Sequence, residues 1–70
     1  MKDPLKELGD KVRAVRTKLD LSQEALAERC KFDRTYISPI ERGQRNPSFT
    51  NLIRLAEGLD VSVSDITKGI

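Results

Sequence analysis

Five basic side chains, Arg29, Lys31, Arg34, Arg42 and Arg45, fall within residues 29–45 against only Asp33 and Glu41. Residues 1–28 carry six basic and six acidic groups, and residues 46–70 carry two and three, so nearly all positive surplus sits in this one stretch. The net charge is only +2, and bulk charge alone is equally consistent with a solvated surface. The chemistry on offer is recognition. Arginine presents a planar fork of donors that suits anionic, acceptor-rich surfaces. The chain has no histidine, which removes the commonest general base and metal ligand. There is no glycine-rich loop and no carboxylate cluster with a partner base, so no enzyme, cofactor or metal site is expected. Cys30 stands alone and cannot form an internal disulfide or a thiolate cluster.

The elements that position these groups are legible from Leu21 to Gln44. Ser22 caps a helix in which Leu26, Ala27 and Cys30 face inward and Leu21 staples onto Leu26. Lys31-Phe32-Asp33 forms a turn. Asp33 caps a second helix, Phe32 with Ile37 repeats the staple, and Gly43 ends it in a left-handed conformation. That helix buries its isoleucines and turns Arg34, Thr35, Ser38 and Arg42 outward. This is the layout of a helix-turn-helix, whose second helix can enter the major groove of double-stranded DNA.

Helical periodicity continues on both sides. Asp3 caps a first helix with Pro4 at its first position, and Leu5, Leu8, Val12, Val15 and Leu19 form one apolar stripe. Two heptads are too few for a coiled-coil seam, so the stripe faces a core. Ser48 caps a fourth helix carrying Leu52, Ile53, Leu55, Ala56 and Leu59, mostly buried. Val61, Ser62, Asp65 and Ile66 mark a short fifth helix with a staple and a capping-box-like pair. No strand, repeat or linker is visible. The expectation is one all-α domain over residues 1–70, near the lower size limit for a chain without staples. With no signal peptide and no long apolar run, a cytoplasmic location is expected, without a membrane partner.

At Ser22-Gln23, Tyr36-Ile37-Ser38, Glu41-Arg42-Gly43, Arg45-Asn46-Pro47-Ser48 and Leu55-Ala56 the sequence resembles the Xre/Cro-type helix-turn-helix family of phage repressors and bacterial regulators. The resemblance runs from about Leu5 to Ile66. Among small members it is similar to the controller proteins of restriction–modification systems. It implies a compact five-helix, lambda repressor-like bundle, with the helix-turn-helix at about residues 22–42, that binds operator DNA as a homodimer and regulates transcription.

The resemblance also implies roles. Arg34, Thr35, Ser38 and Pro39 occupy base-reading positions, with a phosphate contact as the alternative for Arg34. Gln23 matches a glutamine that bonds a phosphate and braces the recognition helix. Tyr36, Arg42, Arg45 and Asn46 are expected at phosphates. The alternatives are a half-buried ring for Tyr36 and a turn residue for Asn46. Glu41 matches a position that pairs with a helix-1 arginine, here Arg16, to orient the recognition helix. Val61, Val63, Ile66 and Ile70 are candidate dimer contacts, with capping of the core as the alternative. A second functional reading is an antitoxin-like interaction module with autoregulatory DNA binding. No small-molecule effector is implied.

Three positions depart from the expected pattern. Pro39 falls at the sixth position of a helix capped by Asp33, where proline costs about 3 kcal/mol. A kink is the favoured consequence, so Pro39→Ala is expected to raise the melting temperature. The alternative is a helix that restarts near Pro39 and leaves Arg34 and Thr35 in a looser turn. Asp20 replaces a glycine at the end of the first helix and must turn left-handed, or the turn must differ. Gly58 inside the fourth helix carries a propensity cost that suggests close packing. Cys30 reads as a small core residue.

Overall fold

Single side chains start four of the five helices among the described residues. A computed structural model describes residues 3–70: α1 (Pro4–Lys18), α2 (Gln23–Cys30), α3 (Ile37–Glu41), α4 (Phe49–Gly58) and α5 (Val63–Thr67). The Asp3 carboxylate accepts from the amides of Leu5 and Lys6, and Pro4 opens α1. Ser22 accepts from the Ala25 amide and Ser48 from that of Asn51. At α5 the Ser62 hydroxyl accepts from the Asp65 amide at 3.1 Å while Asp65 accepts from the Ser62 amide at 2.9 Å. Each cap satisfies a donor that has no intrahelical partner. The Ser62 amide, as the largest contributor, holds the Asp65 carboxyl below the usual carboxylate range.

The start of α3 differs from expectation. Asp33 does not cap it. Its carboxylate instead accepts from the Thr35 amide at 2.9 Å and the Thr35 hydroxyl at 2.7 Å, and its carbonyl accepts from Tyr36 N. The Thr35 hydroxyl, chiefly, holds Asp33 below the usual carboxylate range. Arg34 and Thr35 therefore lie in a turn, and α3 begins at Ile37 behind Tyr36, which supplies no side-chain cap. Pro39 is thus the third helical residue. The first amides of a helix have no carbonyl to reach, so proline loses nothing there. The expected kink is replaced by the restart. Phe32 packs against the core that contains Ile37, and its ring also meets that of Tyr36, ring centres 4.4 Å apart and tilted by 32°.

All five helix ends turn left-handed, at Asp20, Lys31, Gly43, Asp60 and Gly69. The first four close with paired backbone bonds. At Gly43, for example, Gly43 N donates to Ile40 O and Gln44 N to Pro39 O. Asp20 adopts the conformation its position demands, φ 58°. Lys31 and Asp60 take it without any such signal in the sequence.

The core comprises Leu8, Val12, Leu26, Ala27, Cys30, Ile37, Ile40, Leu55, Ala56, Leu59 and Ile66. Two glycines set its tightest contacts. A Cβ on Gly58 would overlap the Cys30 sulfur, which accounts for glycine inside α4. A Cβ on Gly9 would collide with the carbonyl of Ile40 and lie 2.6 Å from that of Glu41, so α1 touches α3 backbone to backbone. Cys30 is a core residue, and burial, as the largest influence, raises its thiol despite the nearby Arg54 and Arg29. Leu19, at the end of the α1 stripe, is exposed because it lies past the helix. Phe49 is 70% exposed and Ile53 is also exposed, so α4 is less buried than its composition suggests. No helix among the described residues is long and apolar enough to cross a membrane.

Candidate nucleic-acid interface

The mount for the recognition segment is built first. Glu41, the last residue of α3, is buried. Arg16 Nε donates to Glu41 Oε2 at 2.6 Å and Arg16 Nη2 to Oε1 at 3.0 Å, while Nη1 reaches the Leu21 carbonyl at 2.8 Å. Gln23 Nε2 donates to the same Glu41 Oε1 at 3.1 Å. One carboxylate thus joins α1, the start of α2 and the end of α3. A buried pair of this kind adds uncertain net stability, but losing one partner strands the other charge. The Arg16–Glu41 pair stands where expected. Gln23 braces α3 through Glu41 and keeps a second amide hydrogen.

What the mount presents is polar and cationic. Arg34, Thr35, Arg42, Arg45 and Asn46 are exposed, and Ser38 and Pro39 are half-buried. Arg42 is the C-cap of α3, one turn after Ser38. The loop after α3 folds back, so that the Arg45 guanidinium lies over the Tyr36 ring, 4.6 Å from its centre. Tyr36 is half-buried against Phe32, and its hydroxyl accepts from Asn51 Nδ2 at 2.8 Å. The folded-back loop thus brings Arg45 onto Tyr36 at the start of α3, with the exposed Arg34 two residues before Tyr36 in the chain.

Sequence reasoning passed over the groups behind this region. Asn51 and Arg54 are polar residues in a helix read for its apolar face. Arg54 lies over Phe32 at 4.5 Å from the ring centre, donates to the Cys30 carbonyl at 3.0 and 3.2 Å and to the Lys31 carbonyl, and reaches Asn51 Oδ1 at 3.4 Å. Two polar residues three apart, inside an apolar run, were the available signal. One candidate is corrected. Ile66 is fully buried in the core and presents no surface to a partner. Val61 and Val63 pack against the core but stay partly accessible, and Ile70 is 47% exposed.

The sequence profile described as Helix-turn-helix matches residues 12–66. The chain belongs to the helix-turn-helix family. Within it, the control protein C.MunI of a Mycoplasma species is 41% identical over 71 aligned positions, covering 100% of this chain and 96% of that protein. The crystal structure of the restriction–modification controller protein C.AhdI from Aeromonas hydrophila superposes with a TM-score of 0.86 at 42% identity, covering 89% of this chain and 94% of that one. The P22 c2 repressor, solved in complex with a synthetic operator, superposes with a TM-score of 0.81 at 33% identity, covering 90% and 96%. Helix-turn-helix membership accords with the five helices and with the brace that fixes α3.

Proposed function

We propose that this chain binds double-stranded DNA as a homodimer on a palindromic operator and regulates transcription as a control protein. The carrying observation is the Arg16–Glu41–Gln23 brace, which fixes α3 while Arg34, Arg42 and Arg45 stay exposed beside it. Similarity to C.MunI and C.AhdI supports the control-protein role, and similarity to the operator-bound P22 c2 repressor supports the DNA ligand.

In this reading Arg34, Thr35, Ser38 and Pro39 meet base edges. The turn conformation gives Arg34 freedom to reach guanine O6 and N7, a pairing that discriminates by about 1–3 kcal/mol. Asp33 engages the Thr35 hydroxyl hydrogen, so Thr35 offers lone pairs or its methyl group. Pro39 offers only ring carbons, suited to a thymine methyl. Gln23, Tyr36, Arg42, Arg45 and Asn46 meet phosphates, which give affinity and salt dependence but no sequence choice. The buried Arg16–Glu41 pair stays off the DNA. The apolar surface for a second copy comprises Phe49 and Ile53, one turn apart on α4, with Val61, Val63 and Ile70. Two copies place recognition segments about 34 Å apart, one duplex turn.

Selection from random duplex DNA at physiological salt tests the proposal. The expected result is an inverted repeat, bound by a dimer in sedimentation. Recovery of no motif, with binding lost as salt rises, rejects sequence-specific recognition. Arg34→Ala is expected to relax base preference and Arg45→Ala to weaken all duplexes alike.

A further inference from the structure

We infer that Asn51 is a positioning residue that sets the direction of the Tyr36 hydroxyl, leaving its hydrogen free to be donated to a backbone phosphate oxygen. The inference rests on the DNA-binding reading above and extends it to residues on α4.

The argument is one of hydrogen-bond polarity. A guanidinium has donors only. Arg54 is held at the end of α2 by the carbonyls of Cys30 and Lys31 and by the face of Phe32. The neighbouring Asn51 atom must therefore be its oxygen, and Arg54 Nη1 donates to Asn51 Oδ1 at 3.4 Å. That fixes the amide the other way round at its far side. Asn51 Nδ2 then faces Tyr36 and donates to the hydroxyl oxygen at 2.8 Å. With its oxygen accepting, the hydroxyl keeps its own hydrogen. No hydrogen bond among the described residues uses that hydrogen as donor. A phosphate oxygen is an acceptor only, so the chain Arg54–Asn51–Tyr36 ends in the polarity a phosphate requires. Stacking on Phe32 and under Arg45 holds the ring that carries the hydroxyl.

Asn51→Asp reverses the chain without removing it. A carboxylate still accepts from Arg54, but it also accepts from Tyr36, drawing the hydroxyl hydrogen inward. The fold tolerates this change, because position 51 lies in the first turn of α4, where the helix dipole favours an anion.

Two measurements decide the matter. The first is binding of a mixed-sequence DNA duplex at low ionic strength by four proteins: wild type, Asn51→Asp, Tyr36→Phe and the double variant. Asn51→Asp is expected to weaken binding about tenfold, the scale of one hydrogen bond to a charged group. In the Tyr36→Phe background it should add little. An equal loss in both backgrounds means that the new charge repels DNA on its own, and overturns the inference. No loss in either background also overturns it. The second is the Raman doublet of the tyrosine ring, whose intensity ratio reports whether the hydroxyl donates or accepts. Tyr36 is the only tyrosine, so the signal is unambiguous. The free wild type should show a hydroxyl that both accepts, from Asn51, and donates, to water, and Asn51→Asp one that donates without accepting from position 51. A hydroxyl that only donates in the free wild type overturns the polarity without reference to DNA. A wild type with the expected Raman signature that binds no duplex instead rejects the DNA-binding reading of the site.

Discussion

α3 and α5 are both five residues long, yet they are held in opposite ways. α5 is started locally, by a reciprocal capping box between Ser62 and Asp65. α3 has no side-chain cap at all. It is held from outside, by Ile37 and Ile40 in the core, by backbone contact with α1 at Gly9, and by the Glu41 carboxylate. Helices this short do not persist in water on their own. The difference teaches that the recognition segment borrows its order from the rest of the bundle.

The largest effect should follow from cutting that external support. Glu41→Ala leaves the Arg16 guanidinium buried without its carboxylate, a loss of about 3–5 kcal/mol. Urea unfolding should show it, and amide exchange should place the greatest loss of protection in α3 and the least in α5. Uniform loss across both would break the comparison. Gly9→Ala forces α1 away from α3 and should cost about 1–3 kcal/mol. If the variant is as stable as wild type, the close approach carries no structural role. On the other side of the comparison, Ser62→Ala should cost only about 1 kcal/mol and fray α5 alone.

The α5 cap also carries a pH signature. The Asp65 carboxyl is lowered in the folded protein, so its contribution is complete above the ordinary carboxylate value, about pH 4. It disappears as pH falls through the lowered value. Acidification should fray α5, and Asp65→Asn should remove that dependence in amide-exchange measurements. The smallest effect is expected at Pro39. Proline in a first helical turn restricts the unfolded chain at no native cost, so Pro39→Ala should lower stability by about 0.4–1 kcal/mol. A rise in melting temperature would restore the view of Pro39 as a strained interior residue.

That reversal marks where the sequence was legible and where it was not. Asp3, Ser22, Ser48 and Ser62 each announce a helix start through one short side chain, and all four starts are where they were read. Local chemistry decides them. Asp33 carries the same signal, but its carboxylate is diverted to Thr35, and the choice between a cap and an isolated turn depends on where Pro39 allows α3 to begin. Ile66 continues the apolar pattern of the last helix equally well as core or as surface, and only packing distinguishes the two. Gly9 drew no attention because a backbone contact leaves no mark beyond the missing side chain. In the site, the Arg16–Glu41 pair came from family resemblance, whereas Asn51 and Arg54 act through geometry between helices that no local pattern encodes.

Cys30 gives this molecule a built-in stopwatch. Its thiol is the only one in the chain, is 3% exposed, and lies against Gly58. A reagent that alkylates thiols cannot reach it until α2 and α4 separate. Where reclosing outpaces alkylation, the labelling rate counts the fraction of molecules open at any moment, without denaturant. A duplex that binds only the closed protein must slow that clock by the same factor by which it shifts the opening equilibrium. Occupancy of the DNA surface would then be readable from the opposite side of the chemistry, at a sulfur atom inside the core.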